Sequence, residues 1–204
     1  LDVASLDSLG NEDWLIFGSV FTGAGEFKFG YGPFAAPNNP DPPGWSGIVT
    51  DQGGPDQGSQ QLSVFSDYQC CQPGEGHFNG TDLVESNIFQ EWVILGSGDP
   101  FPSLGTTLTF TFDAKRGNIE GSTQAIAFIK TLDPSAGFAL TNFITVDTAV
   151  IPAEWGTYSI SLDLTDPLLA GQLLQIGFAS TTSNFAGSGV FYDNIEVSTT
   201  PAAP

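Results

Sequence analysis

Few side chains in this sequence could make or break bonds. Its only histidine, His77, lies a few residues after the adjacent pair Cys70-Cys71. A Cys–His nucleophilic pair needs a free thiolate within reach of the imidazole, and tandem cysteines in an oxidising milieu argue against one. Consecutive Cα atoms sit about 3.8 Å apart, whereas ordinary disulfides want about 4.4 Å or more. A Cys70–Cys71 disulfide is therefore a strained ring in a distorted turn; the other states open to the pair are two reduced thiols or pairing with another molecule. The vicinal ring is the expectation for an oxidising compartment. Zinc is not expected, because about four ligands are needed and only one imidazole is available. Glycoside hydrolysis needs two carboxylates flanking a sugar, and Glu85 and Glu91 are the obvious pair. A lyase acting on a uronate needs cationic groups, of which the chain has only Lys28, Lys115, Arg116 and Lys130. The expectation is that the chain is not an enzyme.

Sugar recognition asks less of a sequence: aromatic rings to stack on, with amides and carboxylates for the hydroxyl groups. Trp92, Trp45, Tyr31 and Tyr68 are the candidate platforms, with Gln90 and Glu91 beside Trp92. Core burial competes for each of them, most of all for Trp92 in its apolar segment. Asn79, in Asn79-Gly80-Thr81, is a glycosylation acceptor by pattern.

Charge narrows the partners. Lys and Arg number 4 against 23 Asp and Glu, a formal net charge of -19. Nucleic acid and anionic membranes need clustered cations, so neither is expected as a partner. A polyanionic polysaccharide would need a bridging divalent cation. No apolar run reaches the length of a membrane span. The sequence opens at Leu1 without a basic n-region, which reads as a signal peptide already removed. Residues 199–204 read as a linker-like tail. The expected location is secreted, extracellular or at the cell surface.

The elements that must position these residues are strands. In Thr107–Phe112 the threonines alternate with Leu108, Phe110 and Phe112, a period of two. The same alternation marks Tyr158–Leu162 and Leu174–Phe178, and about ten such segments are separated by clusters of turn residues such as 37–44 and 51–58. No segment carries a helical stripe; 165–169 reads as one helical turn at most. The fold class is all-β, a jelly-roll-like β-sandwich of two antiparallel sheets, in a single domain over residues 1–198.

The second half resembles jelly-roll carbohydrate-binding modules. Trp155, Tyr158, Ile160 and Leu162 match their W-x-x-Y-x-V-x-F strand, Gly105–Phe110 matches G-T-x-Y-x-L-x-F, and Tyr192–Val197 matches the closing Y-x-D-D/N-V/I-x-V. The similarity runs over about residues 44–198, and the Glu-x-Asp-x-x-Glu run of jelly-roll glucanases is missing. The resemblance implies a structural calcium at Asp193, with Asn194 beside it. The family's acid on the first strand has no direct counterpart, and Glu26 and Asp51 are the nearest candidates.

A different function fits the same features. The apolar stretch Trp14–Phe21 suits a strand added to a neighbour's sheet, so residues 1–21 are a candidate donor segment. Lysines, which guard strand edges, are scarce. The leading expectation is a self-assembling subunit of an extracellular filament, layer or biofilm matrix, hence a homo-oligomer or polymer. The alternative is a calcium-stabilised carbohydrate-binding module with a polysaccharide partner, and a polysaccharide-degrading enzyme comes third.

Overall fold

The computed structural model describes residues 9–37, 46–66, 81–182 and 186–202. Eleven strands occupy them: β1 Leu15–Phe21, β2 Phe27–Ala35, β3 Ser46–Val49, β4 Gln61–Val64, β5 Leu83–Val93, β6 Thr106–Ile119, β7 Gln124–Asp133, β8 Ala139–Asp147, β9 Gly156–Leu164, β10 Leu173–Thr182 and β11 Ser188–Pro201. They form a six-stranded sheet, β2-β1-β5-β10-β7-β8, and a five-stranded sheet, β3-β4-β11-β6-β9. Every strand pair is antiparallel. The chain is the two-sheet sandwich that the alternation calls for. No helix among the described residues is long and apolar enough to cross a membrane.

The core lies between the sheets and follows the period of two. Leu108, Phe110, Phe112 and Ala114 of β6 are fully buried, while the threonines between them face away. Across the gap, Phe178 of β10 stacks on Tyr192 of β11 at 3.7 Å between ring centroids. Phe110 and Phe112 close on Phe178 at 5.4 and 5.3 Å. Each fully buried ring contributes about 1.5–3 kcal/mol. The Tyr192 hydroxyl shares a 2.8 Å hydrogen bond with Thr148 Oγ1, so its polar end is satisfied. Burial pushes its ionisation far above the ordinary phenol value.

Polar residues do not interrupt β5: it runs unbroken from Leu83 to Val93, with Glu85 and Asn87 on its outer side and Val84, Ser86 and Ile88 turned to the core side. β1 is interior to its sheet, hydrogen-bonded to β2 on one side and to β5 on the other. Trp14–Phe21 therefore has no open edge within this fold. The only helical structure near 165–169 is a single 3₁₀ turn, Pro167–Leu169, capped by the Asp166 side chain.

Truncation of Phe112 tests the core assignment. Phe112→Ala should cost about 3–5 kcal/mol in urea unfolding, whereas Thr111→Ala, one residue along and facing outward, should stay within about 0.5 kcal/mol.

Candidate functional site

The outer face of the six-stranded sheet is not the polar surface that an antiparallel sheet usually turns to water. Phe89, Phe128 and Ala179 form a second apolar cluster there, with Leu15, Phe17 and Ile126 packed against it. Strand register explains the arrangement. Gly177 of β10 pairs with Phe89 on one side and Phe128 on the other. Ala179, next along the same face, lies between Asn87 and Ile126. Small residues in the middle strand leave a floor between aromatic walls. A groove of roughly 520 Å³ runs over it past Phe17, Phe89 and Gln175. It continues into a second lobe past Phe27, Phe128 and Phe143, and Glu85, Asn87, Lys130 and Phe138 line both lobes.

Polar groups are set into this apolar trough in a fixed order. Asn87 donates to Glu85 Oε1 at 2.9 Å and to the Phe17 carbonyl at 3.2 Å. Gln175 donates to Glu91 Oε2 at 2.5 Å. Glu91, Gln175 and Lys130 form one cross-strand row. The Lys130 ammonium lies 4.8 Å from the centre of the Phe128 ring and 5.7 Å from that of Phe89. Burial holds its pKa below the ordinary lysine value, with Glu85 and Glu91 pulling the other way.

A second cluster sits on the five-stranded sheet, under the connection that joins β3 to β4. Asp113 of β6 pairs with Asp193 of β11 and with Thr157 of β9. Its carboxylate accepts from Thr157 Oγ1 at 2.6 Å, Gln57 Nε2 at 2.7 Å and Asn194 Nδ2 at 2.8 Å. A bulge in β11 after Asp193 gives Asn194 a left-handed backbone, φ 46°, a conformation asparagine tolerates well. Asn194 N–H donates to Asp193 Oδ1 at 2.7 Å. Three buried acceptors of this cluster, Gln57 Oε1, Gln61 Oε1 and Asp193 Oδ2, have no donor. Orphaned carbonyl and carboxylate oxygens are the donor chemistry of a hard divalent cation. Among the described residues no three His, Cys, Asp or Glu side chains gather, so amide oxygens would supply much of any such shell.

The two carboxylates respond oppositely to their surroundings. Burial raises the pKa of Asp113, but its hydrogen bonds from Thr157, Asn194 and Gln57 outweigh burial and hold it below the ordinary value. Burial raises that of Asp193, and the neighbouring Asp113 charge adds to the effect.

The residues singled out from sequence are dispersed by the fold. Asp193 and Asn194 are adjacent to the orphaned oxygens. Asp51 is exposed, with φ 66°, at the start of the connection that carries Gln57. Glu26 is exposed beside β2 of the other sheet, its N–H bonded to Thr22 Oγ1. Trp92 is half-buried, packed on the main core and edge-on to Phe101 at 5.2 Å. Its neighbour Glu91 faces the groove. Tyr31 is half-buried against the same core. Trp155 is half-buried, its indole N–H donating to the Gln52 carbonyl at 3.0 Å. Trp45, Tyr68, Cys70, Cys71, His77 and Asn79 lie outside the described residues. Sequence reading did not find Gln57, Gln61, Asp113, Phe89, Phe128 or Gln175. A polar residue at alternate positions of an otherwise apolar strand, as at Glu85, Asn87 and Lys130, was the available signal for the groove.

Linkage gives the pH test for the second cluster. Asp113 has a lowered pKa, so its contribution is complete above the ordinary value of 3.8 and fades as pH falls through the lowered value. Asp193 has a raised pKa, so its protonated form favours the fold, an advantage lost as pH rises through the raised value. Asp113→Asn should cost about 1.5–3 kcal/mol at neutral pH. The gap from the parent should begin to narrow as pH falls below 3.8 and should close only below the lowered value.

No protein-family model and no curated protein matches the chain. Among solved structures it is similar to a cyclase from Fischerella sp. TAU in complex with 4-(1H-indol-3-yl)butan-2-one. The two share 15% identity over 91% of each chain, with a TM-score of 0.50. The enzymatically active domain of bacteriophage CBA120 tailspike protein 4 matches 98% of this chain at 15% identity and a TM-score of 0.49, this chain spanning only 21% of that one. A family 16 carbohydrate-binding module matches 76% of this chain and 86% of its own at 10% identity, TM-score 0.46. At these identities the likeness is one of fold: the chain is an all-β, jelly-roll-like sandwich of two antiparallel sheets.

Proposed function

We propose that the chain is a non-catalytic extracellular binding module that holds a neutral carbohydrate in the groove of the six-stranded sheet. The observation that carries this is the groove's composition. Phe17, Phe27, Phe138 and Phe143 offer rings to the apolar faces of sugars, and Glu85, Glu91 and Lys130 offer partners for hydroxyl groups. A formal charge of -19 disfavours an anionic glycan.

Binding without turnover is favoured by the placement of the two carboxylates. Glu85 and Glu91 lie on one strand six residues apart, so their Cα atoms are about 20 Å apart. Glycosidases hold their carboxyl pair about 5–9.5 Å apart. Assembly into a filament or layer draws little support from the fold, because β1 is paired on both sides within its own sheet.

Calcium belongs to this proposal as a structural ion. Asp193, with the amide oxygens of Gln57 and Gln61, would hold it, and the ion would supply the positive charge that the buried acceptors lack. It would fix the β3–β4 connection to β11 and would take no part in ligand chemistry.

Two experiments test these statements. On insoluble and soluble polysaccharides, Phe138→Ala and Glu91→Gln should each weaken retention about tenfold, a loss near 1.4 kcal/mol, and Trp92→Ala should bind like the parent. Equal retention by all three variants, or no retention of the parent on any neutral glycan, would sink the reading. Calcium at about a hundred times its Kd should raise unfolding stability by about 2.7 kcal/mol. Asp193→Asn should remove that gain; a parent indifferent to calcium and EDTA rejects the ion.

A further inference from the structure

One large side chain on the groove stands on a backbone that disfavours it. Phe138, between the 3₁₀ turn Pro134–Ala136 and β8, has φ 63°. In this left-handed region the Cβ of an ordinary residue crowds the following carbonyl oxygen, and a bulky residue there is a genuine outlier. Gly137 before it is also left-handed, at φ 68°, where glycine meets no penalty. The corner is well braced. Asp133 caps the turn, its Oδ1 accepting from Ser135 N–H at 2.8 Å and from Ser135 Oγ at 2.7 Å. The Asp133 carbonyl accepts from Phe138 N–H at 2.8 Å.

Packing does not offset the strain. Phe138 is 60% exposed. Phe143, further along β8, packs against Phe128 at 6.3 Å, whereas among the described residues no ring meets that of Phe138. A phenylalanine held both strained and exposed is a mark of a ligand contact. Its position narrows the ligand. Phe138 lines both lobes of the groove and so stands where they meet. Phe17 and Glu91 lie in one lobe, Phe27 and Phe143 in the other. The lobes measure roughly 520 and 640 Å³, each the size of a complete small-ligand site, and a single sugar ring fills only part of one.

We propose, resting on the carbohydrate reading of this groove, that Phe138 is its specificity-determining clamp, stacking on an internal unit of a linear oligosaccharide whose neighbouring units run into both lobes. The site reads the interior of a chain, and a mono- or disaccharide occupies one lobe at a time. The braced left-handed corner fixes where the ring stands, so little ordering of Phe138 is needed when the chain arrives.

Phe138→Gly and Phe138→Asn remove the ring and place there residues that accept a left-handed backbone. Both should raise the midpoint of urea unfolding above that of the parent, while binding to long oligosaccharides weakens about tenfold. Phe138→Tyr, which keeps the ring, should bind like the parent. Calorimetric titration with a length series cut from whichever neutral polysaccharide retains the parent should show affinity climbing steeply once both lobes are filled. In Phe138→Gly that climb should flatten, with the shortest oligomers little affected. Borohydride reduction of the chain end should leave the parent's affinity unchanged. A lowered unfolding midpoint in Phe138→Gly, an equal loss at every chain length, or a need for the unreduced end each overturns the clamp and leaves the carbohydrate reading standing. A parent retained on no neutral glycan removes that reading, and the clamp with it.

Discussion

The middle of the six-stranded sheet depends on the absence of a side chain at Gly177. A Cβ built there would sit 2.0 Å from the Ile88 carbonyl oxygen and 2.7 Å from Phe89 Cα, closer than any real contact. β5 and β10 can pair in register through this point only because the position is glycine. The paired run, Leu173 against Val93 through to Thr182 against Val84, anchors both surfaces of the sheet. On the inside it delivers Phe178 to the stack on Tyr192. On the outside it leaves a floor between Phe89 and Phe128, and the groove follows from that gap.

The two polar clusters illustrate opposite solutions to buried charge. Asp113 is surrounded by neutral donors that reach both of its oxygens, so ionisation is favoured despite burial. Asp193, across the strand pair, keeps one oxygen without a donor and is disfavoured as an anion. Burying a carboxylate with one oxygen left without a donor is costly. Lys130 shows the same tension with the sign reversed, its ammonium set against aromatic faces instead of a carboxylate.

The fold was legible in sequence because alternation is a local signal. Leu108, Phe110 and Phe112 announce both a strand and its inward face, and the structure buries all three completely. The site was much less legible, for a physical reason. Groove residues come from all six strands of the sheet, and their adjacency is set by register, which no single segment encodes. Glu91 and Trp92 are neighbours in the chain yet face opposite sides of the sheet, so the tryptophan that drew attention by its type packs on the core while the plainer glutamate faces the groove. Asp193 and Asn194 were marked by a motif in their own strand. Gln57, in the glycine-rich connection, and Gln61, the first residue of β4, lie more than a hundred residues upstream, and their side chains acquire meaning only when the connection and β4 are laid beside β11.

The period of two has a further consequence for how such a chain can change. Along β5 and β10 the even-numbered residues, Ile88 and Phe178 among them, belong to the core, and the odd-numbered ones, Phe89 and Gln175 among them, belong to the groove. One strand thus carries two interleaved messages, one read by the partner sheet and one read by whatever enters from solvent. Drift in the second message leaves the first intact. A sandwich of this kind can change its outer surface while keeping its architecture, and a likeness of fold over 91% of two chains at 15% identity is of that sort.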